Sequence, residues 1–423
     1  MIIAAIVIVT VVLTVGLTLL LLNLSSGEKK IAYEIETSYA AGDPQFRHVM
    51  GQLLGPPLVD GNCITGLLNG DEIFPAMLSA VRQAENTICF ETYIYWSGAI
   101  AREFTAALCE RAFKGVQVHV LLDWVGSKRI DSALLDKMRA AGIEVERYRP
   151  PRWYNLARMN HRTHRKLLVV DGRVGFTGGV GIADEWLGDA QSPAHWRDSH
   201  FRLDGPAVAQ MQAAFMDNWV KIRSKVLHEV DYFPPLQPAG ESLAQVFKSS
   251  AREGSESVRL MYLLSIASAE KSILLANAYF VPDDLAIESL IAAKKRGVKI
   301  EIIVPGKYTD EPLVRQASRG RWGPLLEAGI EIFEYQHTMY HCKVMVVDGA
   351  WTSVGSTNFD NRSFRLNDEA NLNVLDADFA ARESANFAAD RELSRPITLA
   401  QWRRRPVSEK VRDFLAGLLR SQL

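Results

Sequence analysis

Apolar and polar positions follow the same order in two long stretches of the chain. The segment "KGVQVHVLLDW" from Lys114 parallels "RGVKIEIIVPG" from Arg296, each with a glycine after a helical run and then an apolar strand. The segment "AAGIEVERY" from Ala140 likewise parallels "EAGIEIFEY" from Glu327. Each stretch is therefore predicted to run strand, helix, strand, helix, strand. Such alternation is typical of a parallel or mixed sheet covered by helices.

A proline-rich segment, "YFPPLQPAG" from Tyr232 to Gly240, separates the two stretches and has the composition of a linker. We therefore predict an α/β protein of two similar lobes, each a mixed β-sheet flanked by helices. The lobes are expected at residues 45–235 and 241–423.

The first residues do not follow this alternation. From Ile2 to Leu24 the chain has no charged side chain, and this length reaches the roughly 20 apolar residues of a bilayer-spanning helix. A cleaved signal peptide is the alternative, but the run exceeds an apolar region of ~7–15 residues and no basic segment precedes it. We predict a single transmembrane anchor at residues 1–25. Lys29 and Lys30 follow it, which places the rest of the chain in the cytoplasm by the positive-inside rule.

Charge and cysteine content limit the classes of function. The 423 residues carry a formal net charge of -1 with a pI near 6.8, so no overall basic field favours nucleic acid as a partner. The four cysteines are scattered and form no C-x-x-C pair, which argues against a structural zinc site and against a disulfide framework.

Each stretch leads into the same short motif. The first motif, "HRKLLVVDG", begins at His164 and the second, "HCKVMVVDG", begins at His341, so both give H-x-K-x4-D. The apolar residues between lysine and aspartate predict a strand, on which residues two apart share a face. His164 and Lys166 are therefore expected to point the same way, as are His341 and Lys343. Each lobe is predicted to supply half of one site.

Two imidazoles and two ammonium groups around one site suit a phosphodiester. A neutral imidazole can attack phosphorus and form a phosphohistidine, while the other protonates the leaving alkoxide. The two lysines would hold the phosphoryl oxygens, so the chemistry calls for no metal or other cofactor. Each imidazole also needs a carboxylate on its other nitrogen to fix its tautomer. Asp198 in "WRDSHFRLDG" and Glu369 in "LNDEANLNV" are the candidates, in equivalent places of the two stretches.

The duplicated motifs resemble the HKD motifs of the phospholipase D superfamily. The segments "TDEPLVRQASRGRWGPLLEAGIEIFEYQ" and "VGSTNFDNRSFRLNDEANLNV" resemble its bacterial cardiolipin synthase branch, and the likeness covers nearly all of the chain after about residue 50. The resemblance implies transphosphatidylation, in which a phosphatidyl group passes through phosphohistidine to the glycerol hydroxyl of phosphatidylglycerol and cardiolipin forms. It also implies a bacterial inner-membrane location, with phospholipids and the membrane as partners.

The same resemblance implies a role for each motif residue. His164 would be the nucleophile, and His341 would be the general acid and base. Asp171 and Asp348 would be structural residues that tie each motif to its own lobe. The residues expected to bind phosphate or to orient the histidines are Lys166, Lys343, Ser356, Asn358, Asp198 and Glu369.

The first motif departs from the second at one position. Gly181 stands where the second motif has Asn358, so the first lacks that side-chain amide. Backbone N–H groups near Gly178 and Gly179 are expected to serve instead, because glycine lets the backbone approach a phosphate closely.

Other functions stay open on the residues alone. A phospholipase D hydrolase would use the same groups and give the intermediate to water. An HKD nuclease is disfavoured by the near-neutral charge and the anchor, and an inactive membrane scaffold by the two complete motifs. The phosphatidyl donor and the oligomeric state are not set by the sequence.

The C-terminal segment after Pro406 carries apolar residues at helical spacing, preceded by three arginines, Arg403 to Arg405. A helix docked on the protein core is the expectation. The alternative is an interfacial helix that rests on anionic lipid, since such helices combine an apolar face with Lys and Arg.

Overall fold

The computed structural model describes residues 2–24, 31, 33–150, 160–250, 257–420 and 422, with the side chains of residues 19–24 excepted. Two helices precede the sheet, α1 (Ile2–Leu24) and α2 (Pro44–Leu54). The first half then follows as β1 (Val59–Leu68), α3 (Asn69–Gln83), β2 (Thr87–Thr92), α4 (Ala99–Phe113), β3 (Gln117–Asp123), α5 (Ser132–Ala140), β4 (Glu144–Tyr148), β5 (Arg162–Thr163), β6 (Leu167–Val170), β7 (Val174–Gly178), a 3-10 turn (Asp184–Trp186), β8 (Ser199–Asp204) and α6 (Val208–Arg223).

The second half repeats this order. It contains β9 (Ser242–Ser249), α7 (Ser257–Ala267), β10 (Ser272–Asn277), β11 (Phe280–Val281), α8 (Asp284–Lys295), β12 (Lys299–Pro305), α9 (Pro312–Glu327), β13 (Glu331–Tyr335), β14 (Lys343–Val347), β15 (Trp351–Gly355), β16 (Phe359–Asp360), α10 (Asn361–Arg365), β17 (Asn367–Leu375), α11 (Ala377–Glu392), β18 (Ser394–Ile397), α12 (Leu399–Arg403) and α13 (Val407–Gly417).

The strand order is mirrored about the centre of one large sheet. It reads β4-β3-β2-β6-β7-β8-β1 in the first half and β9-β17-β15-β14-β10-β12-β13-β18 in the second. Strands β2, β3 and β4 are parallel, as are β10, β12 and β13, while the motif strands β6 and β14 run antiparallel to their neighbours. The predicted mixed α/β architecture is confirmed.

The sequence did not indicate that the two sheets are continuous. Strand β1 pairs with β9, through Val59 with Ala244 and Asn62 with Ser242, with a bulge between these pairs. The buried side chain of Asn62 donates to the Ser242 carbonyl at 3.2 Å and accepts from the Ala207 N–H at 2.8 Å. Side-chain hydrogen bonds thus supplement a short backbone ladder where the halves join.

The halves also share a hydrophobic core. One buried cluster contains Phe201, Phe215 and Trp219 from the first half together with Leu372 and Phe379 from the second. The rings of Phe201 and Phe379 meet edge to face with centroids 5.9 Å apart. Because buried aromatic side chains contribute much of a core's stability, this cluster holds the two halves in one arrangement.

The predicted anchor is not confirmed. Helix α1 covers the predicted segment, and its side chains from Ile2 to Leu17 are exposed. Within the part of the chain that the structure describes, no helix has both the length and the apolar character needed to cross a membrane. Lys29 and Lys30, on which the predicted orientation depends, lie outside the described residues.

The expectation that the C-terminal helix docks on the core through its apolar side is wrong. Within α13 the buried residues are Asp413 and Ala416, whereas Phe414 is 67% exposed and Leu418 64% exposed. The helix is attached instead by its polar side, through ion pairs that its acidic residues make with arginines of the neighbouring segments.

Candidate active site

The two motif histidines lie just before β6 and β14, and each is fastened to the opposite half. The His164 N–H donates to the Asp368 carbonyl at 2.8 Å, and the His341 N–H donates to the Arg197 carbonyl at 2.8 Å. These acceptors immediately precede Glu369 and Asp198 in the chain. The backbone therefore brings each histidine next to a carboxylate that belongs to the other half.

The side chains complete this crossed arrangement. His164 Nδ1 lies 3.0 Å and 3.1 Å from the two oxygens of Glu369, and His341 Nδ1 lies 2.7 Å from Asp198 Oδ2. All four side chains are buried. A carboxylate that accepts from Nδ1–H leaves Nε2 as the basic ring nitrogen. The sequence predicted a carboxylate for each histidine but not that the pairs cross between the halves.

Each carboxylate is itself held by further donors. Asp198 accepts from the Trp186 indole at 2.9 Å and from the Ser199 N–H at 2.8 Å. Glu369 accepts from the hydroxyls of Ser356 at 2.5 Å and Ser363 at 2.7 Å. Burial by itself raises the pKa of both carboxyls, but the paired imidazoles, the lysines and these hydrogen bonds outweigh it and lower each pKa. Both groups are therefore carboxylates at neutral pH.

Lys166 and Lys343 are both buried, and they lie close enough for the charge of one to affect the other. Lys166 Nζ donates to the His164 carbonyl at 3.0 Å, and Lys343 Nζ donates to the His341 carbonyl at 2.7 Å. Burial, and then the like charge of Lys343, lowers the pKa of Lys166 to about 7. Burial also lowers the pKa of Lys343. An anion placed between them would favour their charged forms, so the site is suited to a phosphate group.

Both histidines are neutral at neutral pH. Burial lowers the pKa of His164 to about 4, against the opposing effect of Glu369. Burial and Lys343 lower the pKa of His341, although Asp198 opposes them. A neutral imidazole is the form that a nucleophile requires.

Asp171 and Asp348 lie away from the histidines, at the far ends of β6 and β14. Asp171 accepts from three consecutive backbone N–H groups, at residues 85–87, at 2.7–2.9 Å. Asp348 does the same at residues 270–272. These acceptors hold the start of the first parallel strand of the same half, β2 or β10. Their geometry therefore supports the structural role that the resemblance implies for them.

The first half has glycine at positions 179 and 181, where the second half has Ser356 and Asn358, and this difference has a steric cause. A Cβ at Gly181 would lie 2.8 Å from Ile94 Cβ, so the first half has no room for a counterpart of Asn358. A Cβ at Gly179 would collide with the Asp198 carboxylate. Ser356, at the equivalent position of the second half, instead donates to Glu369 and is fully buried.

One cavity of about 720 Å3 contains both histidines. Asn358 lines it, and its Oδ1 has no hydrogen-bond partner among the described residues. Further lining residues that the sequence did not single out are Tyr93, Trp196, Tyr279, Asp310 and Arg362.

The aromatic residues that line the cavity were not predicted because their sequence pattern resembles that of core residues. Tyr93 lies in "ETYIYW", which reads as a core strand, but β2 ends at Thr92 and the Tyr93 ring meets His164 edge to face at 5.1 Å. Glu91 in the same segment does not line the cavity. It is buried against Thr163 and Asn218, and burial raises its pKa to about 7.

Comparisons with known proteins show which family the chain belongs to. The chain matches the family model described as "Cardiolipin synthase, PLD-like domain" over residues 77–218 and 262–391. It is 35% identical to a cardiolipin synthase of Geobacillus thermodenitrificans over 356 residues, which cover 84% of this chain and 71% of that one. It is 33% identical to cardiolipin synthase A of Pseudomonas syringae pv. syringae over 380 residues, 88% of this chain and 77% of that one.

A solved structure supports the fold alone. The phosphatidylserine synthase of Haemophilus influenzae superposes with a TM-score of 0.68 at 13% identity, covering 89% of this chain and 99% of that one. The family match covers more than half of the chain, and the identity to the two synthases extends over most of it. The chain therefore belongs to the cardiolipin synthase family of phospholipase D-like enzymes.

Proposed function

We propose that this enzyme makes cardiolipin from phosphatidylglycerol through a phosphohistidine on His164. The observation that carries the proposal is the crossed pairing of two buried histidines with two buried carboxylates at one cavity, beside two lysines. Such a site has two imidazoles that can donate and accept protons, and one of them can also act as the nucleophile.

In the first step, His164 Nε2 attacks phosphorus and the bond between phosphorus and the head-group oxygen breaks. His341 gives its proton to that oxygen, and the head-group alcohol leaves. The imidazole of His164 becomes positively charged as its nitrogen bonds to phosphorus, and the Glu369 carboxylate at 3.0 Å stabilises that charge.

His341 takes up the proton that it needs from solvent when the anionic substrate binds. Burial and Lys343 lower the pKa of His341. A bound phosphodiester adds a negative charge beside His341 and Lys343 and therefore favours their protonated forms. Asp198, which lies 2.7 Å from His341 Nδ1, also favours the protonated form of His341. Lys166 and Lys343 neutralise the charge that develops on the phosphoryl oxygens, and Asn358 offers its amide to the same group.

In the second step, His341 acts as the base and His164 is the leaving group. Neutral His341 accepts a proton from the glycerol hydroxyl of a second phosphatidylglycerol, and that oxygen attacks phosphorus. The bond between phosphorus and His164 breaks, and cardiolipin is released with the enzyme restored. Water in place of the hydroxyl would give phosphatidic acid, which is the hydrolase alternative.

The proposal includes the setting in which the reaction takes place. The segment at residues 1–25 anchors the enzyme in the bacterial inner membrane, and the two lobes at residues 45–235 and 241–423 act on the cytoplasmic side. Phospholipid is then supplied from the same bilayer that holds the enzyme, which raises its effective concentration at the site.

The test is to incubate the purified full-length protein with phosphatidylglycerol alone in mixed micelles and to separate the products. We expect cardiolipin and glycerol in equal amounts. Phosphatidic acid as the sole product would replace the proposal with the hydrolase, and no product from either route would refute both.

A further inference from the structure

Helix α13 is amphipathic, but it faces the wrong way for a core helix. Val407, Val411, Phe414, Leu415 and Leu418 are each at least 50% exposed. At about 100° per residue these five side chains fall on one face of the helix. The buried residues Asp413 and Ala416 lie on the opposite face. The apolar face therefore points into solvent over the length of the helix.

Specific contacts hold the helix in this orientation. Glu409 pairs with Arg319 of α9 at 2.6 Å, and Asp413 pairs with Arg405 at 3.1 Å. Ala416 packs in a small cluster with Val314 and Ala317 of α9. Because the attachment uses the polar face, the apolar face is left without a partner among the described residues. Exposed apolar faces of this kind mark interaction sites.

The charges around the exposed face are of one sign. Residues 399–420 contain six basic and two acidic side chains, and three of the basic ones, Arg403, Arg405 and Arg420, form ion pairs with Glu327, Asp413 and Asp284. Both acidic residues, Glu409 and Asp413, are paired on the side that faces the protein. Lys410 and Arg412 flank the apolar face and are exposed. The partner should therefore be apolar within and negatively charged at its surface.

The segment that follows α13 reaches the active-site cavity. The Arg420 carbonyl accepts from Asn361 at 3.1 Å, and the Gln422 carbonyl accepts from Arg362 at 2.9 Å. Arg362 and Gln422 both line the cavity that contains the histidines. A surface that binds the exposed face of α13 would therefore lie close to residues that line the cavity.

We propose that the apolar face of α13 inserts into the surface of a bilayer that contains anionic phospholipid, so that lipid passes from the bilayer directly into the cavity. This inference rests on the proposed function, because it assigns a membrane-bound substrate. A second copy of the chain is the rival partner. It is disfavoured because a symmetric contact would bring the same basic residues together.

The first experiment locates the helix without measuring turnover. Full-length protein carrying Cys63→Ser, which removes the exposed cysteine, and Phe414→Cys is labelled with a polarity-sensitive fluorophore. It is then reconstituted into phosphatidylglycerol and phosphatidylcholine vesicles. Phe113→Cys on α4 is the matched control, since Phe113 is 74% exposed in the other half. Brominated lipids should quench the label at position 414 and not at 113. Equal quenching at both positions, or none at 414, would overturn the inference.

The second experiment measures the consequence for activity. The double variant Phe414→Ser/Leu418→Ser is compared with Phe113→Ser on phosphatidylglycerol in vesicles and on a short-chain phosphatidylglycerol dissolved as monomers. The double variant should lose activity on the order of tenfold on vesicles, and both variants should match the wild type on the monomeric lipid. Unchanged activity on vesicles, or equal loss on both substrates, would overturn the inference. A loss of dimers in detergent on making the double variant would assign the face to a second copy and also overturn it.

These outcomes are distinct from failure of the proposed function. If the wild type forms no cardiolipin from either lipid, the proposed function is wrong. The quenching at position 414 still decides whether α13 lies in the bilayer surface.

Discussion

The two halves of the active site share a framework and differ in what surrounds each histidine. The strands that follow the two motifs, β7 and β15, each end in a glycine with positive φ, Gly178 at 156° and Gly355 at 155°. After it the first motif has Gly179 and the second has Ser356. Asp198 fills the space where a side chain at 179 would stand, whereas Glu369 leaves room for the Ser356 hydroxyl that binds it. The difference shows that the carboxylate of the same half determines which residue can stand at this position.

The side chains around the two histidines also differ. His341 contacts the rings of Trp186 and Trp196, each with a centroid 5.4 Å away, and its carboxylate contact is the shorter one at 2.7 Å. The Glu369 paired with His164 is held by two hydroxyls instead. A short charge-assisted bond favours the imidazolium form. The second histidine is therefore the better placed to carry a proton, in agreement with the unequal roles proposed above.

The largest expected effect separates the two histidines. His164→Ala should abolish turnover of every substrate because no covalent route remains. His341→Ala should slow phosphatidylglycerol turnover by ~10²–10⁴-fold, the usual contribution of a positioned acid. An analogue with a p-nitrophenol leaving group needs little protonation, so His341→Ala should still release one equivalent of p-nitrophenol in a stopped-flow burst. A burst from His164→Ala would reverse the assignment.

Substitution of Asp198 or Glu369 should impair the same function as substitution of the histidine that it contacts. Asp198→Asn and Glu369→Gln each keep a polar side chain of similar size, and each should cost about 10–100-fold with phosphatidylglycerol because the imidazolium loses its counter-charge. With the p-nitrophenol analogue, the burst rate of Asp198→Asn should return towards the wild-type value, since Asp198 serves the acid. Glu369→Gln should stay slow. The opposite pattern would mean that the pairs do not act across the halves.

The lysines connect the halves electrostatically, and their effect should depend on pH. Burial and the like charge of Lys343 lower the pKa of Lys166 to about 7, so this side chain is largely neutral above that pH. A dialkyl phosphate should bind with net proton uptake at pH 8, and its affinity should fall by up to about tenfold per pH unit above 7. Calorimetry in buffers of different ionisation enthalpy measures this uptake. Binding that is independent of pH between 7 and 9 would contradict it.

Lys166→Met is the matched variant for that measurement. It should lose most of the proton uptake together with activity. Because the folded pKa of Lys166 lies below its unfolded value, its charged form lowers the free energy of unfolding, most fully below pH 7. The variant should therefore have an unchanged or higher Tm at pH 7, which separates loss of function from loss of fold. A markedly lower Tm would show that the lysine is needed for folding.

The smallest expected effects test the steric explanation of the asymmetry. Gly179→Ala should lower stability by about 1–3 kcal/mol, since its Cβ would overlap the Asp198 carboxylate. Ser356→Ala removes one hydrogen bond to Glu369 and should cost about 0.5–1.5 kcal/mol. Chemical denaturation of both variants measures the order. A Gly179→Ala protein as stable as the wild type would show that the first motif has room for a side chain.

The features that depend on local pattern could be predicted from the sequence. The alternation of apolar runs predicts the mixed sheet, and the duplicated spacing identifies His164, Lys166, His341 and Lys343. Asp198 and Glu369 are recognisable because each occupies an equivalent place downstream of its motif. In these cases the signal lies within one half of the chain and is repeated in the other.

The features that depend on how distant segments meet could not be predicted. The contact of His164 with Glu369 joins residues 205 positions apart, and that of His341 with Asp198 joins residues 143 apart. No spacing rule specifies such a crossing before the halves are packed together. The C-terminal helix makes the same point, since periodicity predicts its apolar face but not the side on which the protein lies.

The crossed site with His164 as nucleophile is tested most directly by locating the covalent intermediate. His341→Ala is incubated with the p-nitrophenol lipid analogue, digested at neutral pH and examined by mass spectrometry. We predict an acid-labile phosphatidyl group on His164, which accumulates because the base of the second step is missing. A phosphatidyl group found on His341 in the His164→Ala protein, or no adduct in either variant, would contradict the account.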